Sequence, residues 1–276
     1  MTDQELARIA NEVRRGIVTA VHAAKSGHPG GSLSIADILT YLYFEDMSVD
    51  PTDPGCTNRD RLVLSKGHAA PALYSVLAAR GFFHAEELET LRRIGSRLQG
   101  HPNMNDTPGV DMSTGSLGQG VSAAVGMALA AKHWHESWRT YAILGDGELE
   151  EGQVWEAAML AGNMQLDNLC IVVDHNGLQI DGTIEEVNSA MPVADKFHAF
   201  RFNVIELTDG NDMAKIRDAF QKARTHKGEP TCIVAETVKG KGVSFMENQV
   251  GWHGKAPNDE QFARAMAELV AAGKEL

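Results

Sequence analysis

Tyr141-Ala142-Ile143-Leu144-Gly145-Asp146-Gly147 is the stretch on which the fold turns. Four apolar residues in a row read as a short strand buried on both faces, and Gly-Asp-Gly ends it in a turn. A helical pattern follows over 154–164, then a second apolar strand over 169–173, with Asn176-Gly177 just beyond it. Further out, 202–207 reads as strand, 212–224 as helix, 232–235 as strand and 259–272 as a terminal helix. Strand and helix in regular alternation specify an α/β fold: a mainly parallel sheet with helices on both faces.

The pattern upstream is less regular. Leu6, Ile9, Ala10, Val13, Ile17, Ala20 and Val21 recur at helix spacing over 4–25. Gly27, Pro29, Gly30 and Gly31 then break the chain, and 34–44 reads as a second helix with Ser34 as its N-cap. A short strand over 61–65, a helix over 69–80 and an Ala-rich helix over 119–135 complete the reading. With 276 residues, 43% hydrophobic, and no linker or repeat, one domain spanning 1–276 is expected.

The charge balance excludes some partners. The chain carries 25 Lys and Arg against 37 Asp and Glu, a formal net charge of −12. Such a surface does not attract nucleic-acid backbones or anionic membranes. An anionic ligand must instead be held by backbone N–H groups, a metal or a few local cations. Of the cysteines Cys56, Cys170 and Cys232, the last two lie in apolar runs, as buried reduced thiols would. The segment Met1-Thr2-Asp3-Gln4-Glu5 is polar, and no apolar run approaches the roughly 18 residues of a membrane span. A cytoplasmic protein is expected.

Ligands of a parallel sheet sit at the carboxyl ends of its strands. Asp146 and Asn176 occupy two such ends, one strand–helix–strand unit apart, so adjacent strands would place a carboxylate beside an amide oxygen. Hard oxygen ligands suit Mg²⁺ or Ca²⁺, and Mg²⁺ commonly completes its shell with phosphate oxygens. Gly145 and Gly147 are expected to offer their N–H groups to a phosphate. His28, His68, His101 and His253, four of the 11 histidines, each lie beside glycine in a loop, as groups that meet hydroxyls or move protons near neutral pH. Gly118-x-Gly120-x-x-Ala123 formally matches a dinucleotide fingerprint but lacks the apolar strand that must precede one.

Ser26-Gly-His-Pro-Gly30, Ser65-Lys-Gly-His68, Gly100-His-Pro102, Thr114-Gly-Ser-Leu-Gly-Gln-Gly120, Gly145-Asp-Gly147 through Asn176, and His253-Gly254 stand in the order and spacing of transketolase. From about residue 5 to 260 the chain resembles that family's N-terminal, diphosphate-binding domain. The resemblance implies a thiamine-diphosphate-binding fold, thiamine diphosphate as cofactor, and transfer of a two-carbon ketol unit from a ketose phosphate to an aldose phosphate. It implies Asp146, Asn176 and the Leu178 carbonyl as metal ligands and the Gly147 N–H at the diphosphate. Gly115, Ser116 and Leu117 would lie at the aminopyrimidine side, with Gly145 and Glu148 in the cofactor set. His68 and His253 would lie between diphosphate and donor sugar, His28 and His101 at the donor's hydroxyls. Glu151 matches the acidic residue that links paired active sites, and Lys241 a cation near the cofactor. The pyrimidine-binding part of a full-length transketolase is not represented. The resemblance is therefore to a split transketolase, completed by a pyrimidine-binding partner chain in an α2β2 assembly. A related thiamine-diphosphate enzyme chain for an unusual sugar or non-phosphorylated aldehyde, and a non-catalytic cofactor-binding relic, are the alternatives.

Overall fold

The computed structural model describes residues 1–276. Five strands, β1 (Arg61–Leu64), β2 (Thr140–Gly145), β3 (Leu169–His175), β4 (Asn203–Leu207) and β5 (Thr231–Glu236), form one sheet in the order β1-β2-β3-β5-β4. Every pairing is parallel. The helices are α1 (Asp3–Ala24), α2 (Pro29–Leu33), α3 (Ala36–Tyr41), α4 (Ala70–Arg80), α5 (Gln119–His133), α6 (Gly152–Asn163), α7 (Ile184–Val187), α8 (Val193–Ala199), α9 (Met213–Thr225) and α10 (Asp259–Glu275).

Alternation along the strands builds two cores. Leu62, Leu64, Tyr141, Ile143, Cys170 and Val172 point to one face, which α1, α3, α4, α9 and α10 cover. Val63, Ala142, Leu144, Ile171 and Val173 point to the other, against α5, α6 and α8. A strand apolar at every position is thus satisfied on both sides. Cys170 and Cys232 are buried as free thiols, one in each core, whereas Cys56 is half-buried. No helix is long and apolar enough to cross a membrane.

Caps set the ends of the long helices. Thr2 and Asn258 close capping boxes on α1 and α10, and Asp212 accepts from the Lys215 N–H to start α9. The expected break falls at 25–28, where Gly27 has φ +140°, and Pro29 then opens α2 at once. Its glycines serve close approach: a side chain on Gly30 would meet the Trp252 carbonyl at 3.0 Å. Ser34 is not an N-cap. Its hydroxyl donates to the Gly31 carbonyl and the Asp174 carboxylate, and α3 starts after Ile35. The expected helix over 34–44 ends early, in a wider π turn at Leu42–Asp46.

Candidate functional site

The site grows from two strand ends. Gly145 of β2 pairs with Asp174 of β3, so Asp146, just past the end of β2, and Asn176, just past the end of β3, leave neighbouring strand tips. Asp146 Oδ1 accepts from the Gly147 N–H (2.8 Å) and Oδ2 from the Gly177 N–H (2.6 Å). Gly177 has φ +74°, a backbone position that favours glycine, and it turns the chain back over Asp146. Asn176 Oδ1 accepts from the Leu178 N–H (3.2 Å), and the Leu178 carbonyl accepts from Lys239 Nζ (2.8 Å). Burial, then the charge of Asp174, pushes the Asp146 carboxyl up to about 6, so a cation bound beside it is electrostatically favoured.

A cavity of about 290 Å³ opens above these tips. It is lined by His28, His68, His253, Gly115, Leu117, Gly145, Asp146, Gly147, Glu148, Asn176 and Leu178. His101, Ser116 and Glu151 are outside it. The His101 ring stacks under Gly115, where an added side chain would meet it at 3.1 Å; the Gly115 φ of +154° also requires glycine. Ser116 and Glu151 are exposed, Glu151 just before α6.

Three loops bring the histidines together. The His28, His68 and His253 ring centroids form a near-equilateral triangle with sides of 5.2, 5.3 and 5.4 Å. Burial, followed by nearby Arg92, lowers His28 to about 4. Burial and Lys239 lower His253 to about 3, and burial and Lys66 carry His68 well below its usual range. All three are neutral at pH 7, with one nitrogen to donate and one to accept. His28 Nδ1 and His253 Nδ1 are buried without a protein partner. These are groups suited to the hydroxyls of a polyol.

Three expectations need correction. The Gly145 N–H is not open to a phosphate: it donates to Glu148 Oε2 (3.1 Å), while the Gly147 N–H is held by its neighbour Asp146. Glu148 lines the cavity, but its carboxylate is engaged by the protein. It also accepts from Ser65 Oγ and the Gly118 N–H, tying the 114–120 loop and the end of β1 to Gly145. The cation at the cavity is Lys239, not Lys241. Lys239 lines the cavity and is 2% exposed, whereas Lys241, beyond the turn at Gly240, is half-buried outside it. Burial and the Lys66 ammonium lower Lys239 to about 8. Lys66, 1% exposed, also lines the cavity. Sequence reading passed over both lysines, because lysines beside glycine usually mark solvated loops. Their flanking in Ser65-Lys-Gly-His68 and Val238-Lys-Gly-Lys-Gly242 was the available signal.

The residues present suit a metal-bridged diphosphate. Asp146, Asn176 and the Leu178 carbonyl supply hard oxygens, and the carbonyl's second lone pair is open to a metal. Lys66 and Lys239 add positive charge. No three His, Cys, Asp or Glu side chains converge as a metal cluster.

Comparison with known proteins agrees with this geometry. Residues 6–272 match the family profile "Transketolase, thiamine diphosphate binding domain". The 6-deoxy-6-sulfo-D-fructose transketolase subunit SqwG of a Clostridium species is 46% identical over 275 residues, 99% of this chain and 100% of that one. An apulose-4-phosphate transketolase subunit from Phocaeicola vulgatus is 44% identical, covering 93% of this chain and 90% of its own length. The crystal structure of Campylobacter jejuni transketolase superposes with a TM-score of 0.92 at 36% identity, covering 98% of this chain but 43% of that one. The chain thus spans under half of a full-length transketolase and nearly the whole of two transketolase subunits. With that profile matched over nearly the whole chain, and subunits of this kind similar from end to end, the chain belongs to the transketolase family as its thiamine diphosphate binding domain.

Proposed function

We propose that the chain, a single domain over 1–276, is the diphosphate-binding subunit of a split transketolase, moving a two-carbon ketol unit from a ketose phosphate to an aldose phosphate. One observation carries the reading: Asp146 and Asn176, at two strand ends, share a cavity with the His28–His68–His253 triangle. A cofactor diphosphate and a polyol donor can then lie side by side. The two subunits similar over their whole length are named for a sulfo sugar and a sugar phosphate, which supports an anionic sugar as substrate.

In this reading Asp146, Asn176 and the Leu178 carbonyl hold Mg²⁺ or Ca²⁺, and Lys66 and Lys239 neutralise the diphosphate. When bound, thiamine diphosphate supplies the electron sink that lets a ketose carbon–carbon bond break. His28, His68 and His253 orient the donor's hydroxyls, and a neutral imidazole accepts or returns a hydroxyl proton at its free nitrogen. His101, under Gly115, assists from the rim. Glu151 faces a neighbouring protomer. The site is completed by a pyrimidine-binding partner chain in an α2β2 assembly, across an interface of about 2,000–5,000 Å² if obligate. Met159 (57% exposed) and Leu160 (46%) on α6 and Met164 (43%) just beyond its end, with exposed Ile180 and Met191, support such contact. Buried reduced Cys170 and Cys232 support a cytoplasmic home.

The test is to assay ketol transfer with the chain alone, the partner alone and the mixture. Activity is expected only from the mixture; full activity from this chain alone rejects the two-chain reading.

A further inference from the structure

Beneath the two proposed metal ligands lies Asp174, with 0% exposure. Four side chains converge on its carboxylate. Ser34 Oγ (2.8 Å), Lys66 Nζ (2.5 Å) and Asn176 Nδ2 (2.9 Å) donate to Oδ2, and Thr237 Oγ1 donates to Oδ1. The donors come from the α2–α3 junction, the loop after β1, and the chain beyond β3 and β5. Asp174 itself is fixed by pairing with Gly145 on one side and Ala235 on the other.

We propose that Asp174, backed by Lys66, is a positioning residue that decides which atom of Asn176 faces the metal: by accepting from the amide nitrogen, it turns the amide oxygen toward the hollow beside Asp146. This rests on the proposed function's reading of Asp146 and Asn176 as a metal pair. The two ends of a carboxamide are nearly identical in shape and opposite in polarity, so packing alone orients them weakly. An amide nitrogen turned to a divalent cation would repel it. A carboxylate salt-bridged to an ammonium only accepts, so only Nδ2 of Asn176 satisfies it. Oδ1 is left on the opposite side, by the Leu178 N–H (3.2 Å). An unpaired anion at this depth would be costly, and the Lys66 ammonium, also bonded to the Gly31 carbonyl (2.8 Å), removes that cost. Groups that orient a metal ligand typically change metal affinity about 10- to 100-fold when lost.

The test titrates Mn²⁺ into the chain assembled with its pyrimidine-domain partner, in the presence of thiamine diphosphate. Free ion is read by electron paramagnetic resonance, and folding by circular dichroism and melting. Asp174→Asn offers Asn176 a donor as well as an acceptor, and Mn²⁺ binding is expected to weaken about 10- to 100-fold. Because that change strands the Lys66 charge, Lys66→Gln/Asp174→Asn is measured alongside it; its network is neutral and folded, and its loss should be at least as large, since Lys66 also faces the diphosphate. The decisive variant is Asp174→Asn/Asn176→Asp. A carboxylate presents oxygen whichever way it turns, so binding should recover to the level of Asn176→Asp alone, measured as the reference for the added charge, and a loss relative to that reference would mark a merely structural role for Asp174. Wild-type affinity in the folded Asp174→Asn chain, or no recovery in the folded double variant, overturns the proposal. A wild-type assembly that binds no Mn²⁺ would instead overturn the metal site of the proposed function.

Discussion

The strand-tip half of the cavity and the histidine half are built by different rules. Asp146 and Asn176 follow β2 and β3, neighbours in the sheet, and one register fixes both. His28, His68 and His253 arrive on loops from distant parts of the chain, yet their rings meet within 5.4 Å of one another. The first half is held from below by a buried charge network, Lys66–Asp174, with Asn176 hydrogen-bonded into it. The second rests on imidazoles with no protein charge partner, its loops tied by bonds such as Ser32 Oγ to the His28 carbonyl, and its imidazoles stay neutral. Charge is concentrated where a diphosphate and its metal would lie, and withdrawn where the donor sugar's hydroxyls would lie.

That division of labour can be broken most directly at Asp146. Asp146→Ala is expected to abolish metal-dependent thiamine diphosphate binding in calorimetric titration, beyond the roughly 100-fold ceiling of an orienting residue, with the circular dichroism spectrum retained. Unchanged cofactor affinity would dissolve the first half as a binding site. The histidine side should fail differently. In the assembled enzyme, His101→Ala is expected to lower kcat about 100-fold, the lower bound of general acid–base contributions, with little change in cofactor affinity. Equal losses in both would move His101 to the cofactor side.

The boundary between the halves is sharpened by the two lysines. A hydrogen bond to a charged group contributes about 1.5–3 kcal/mol, so Lys239→Met should weaken cofactor binding by about tenfold or more. Lys241→Met should leave it unchanged, and the reverse order would restore the sequence reading. The smallest effect concerns pH. The unfolded chain protonates its histidines near the ordinary value of 6.5, whereas folded His28 and His253 wait until about 4 and 3. The stability they contribute is complete above pH 6.5 and is lost as pH falls toward these values. His28 is faced by Arg92, His101 and Lys239, all of which oppose its protonation. The melting temperature should therefore fall on acidification from 6.5 to 4, and less steeply in His28→Gln. Equal slopes would mean that His28 titrates as it does in water.

Much of this was legible in advance for a local reason. Apolar runs of four or five residues ended by polar or glycine turns predict both a strand and its ligand-bearing tip, and β2 and β3, read as adjacent strands, do pair. Ser34 shows the limit. A serine before an apolar run signals a helix cap, but here a buried carboxylate from a distant strand takes its hydroxyl. Glu148 and Lys239 show it too. Both lie beside glycine in loops, which reads as ligand contact or solvent, and only their neighbours in space make one a brace and the other a buried cation.

The sequence by itself determined the strand–helix alternation, the doubly buried sheet, the Asp146–Asn176 pair and the set of glycine-flanked histidines, because each depends on periodicity or on spacing along a few residues. Only the tertiary structure decided that His101 stays under Gly115 outside the triangle, that Lys239 rather than Lys241 enters the cavity, and that Asp174 lies behind Asn176. Those outcomes depend on which loops the sheet order and helix packing bring together, and on where an unpaired charge can be buried, neither of which a local pattern encodes.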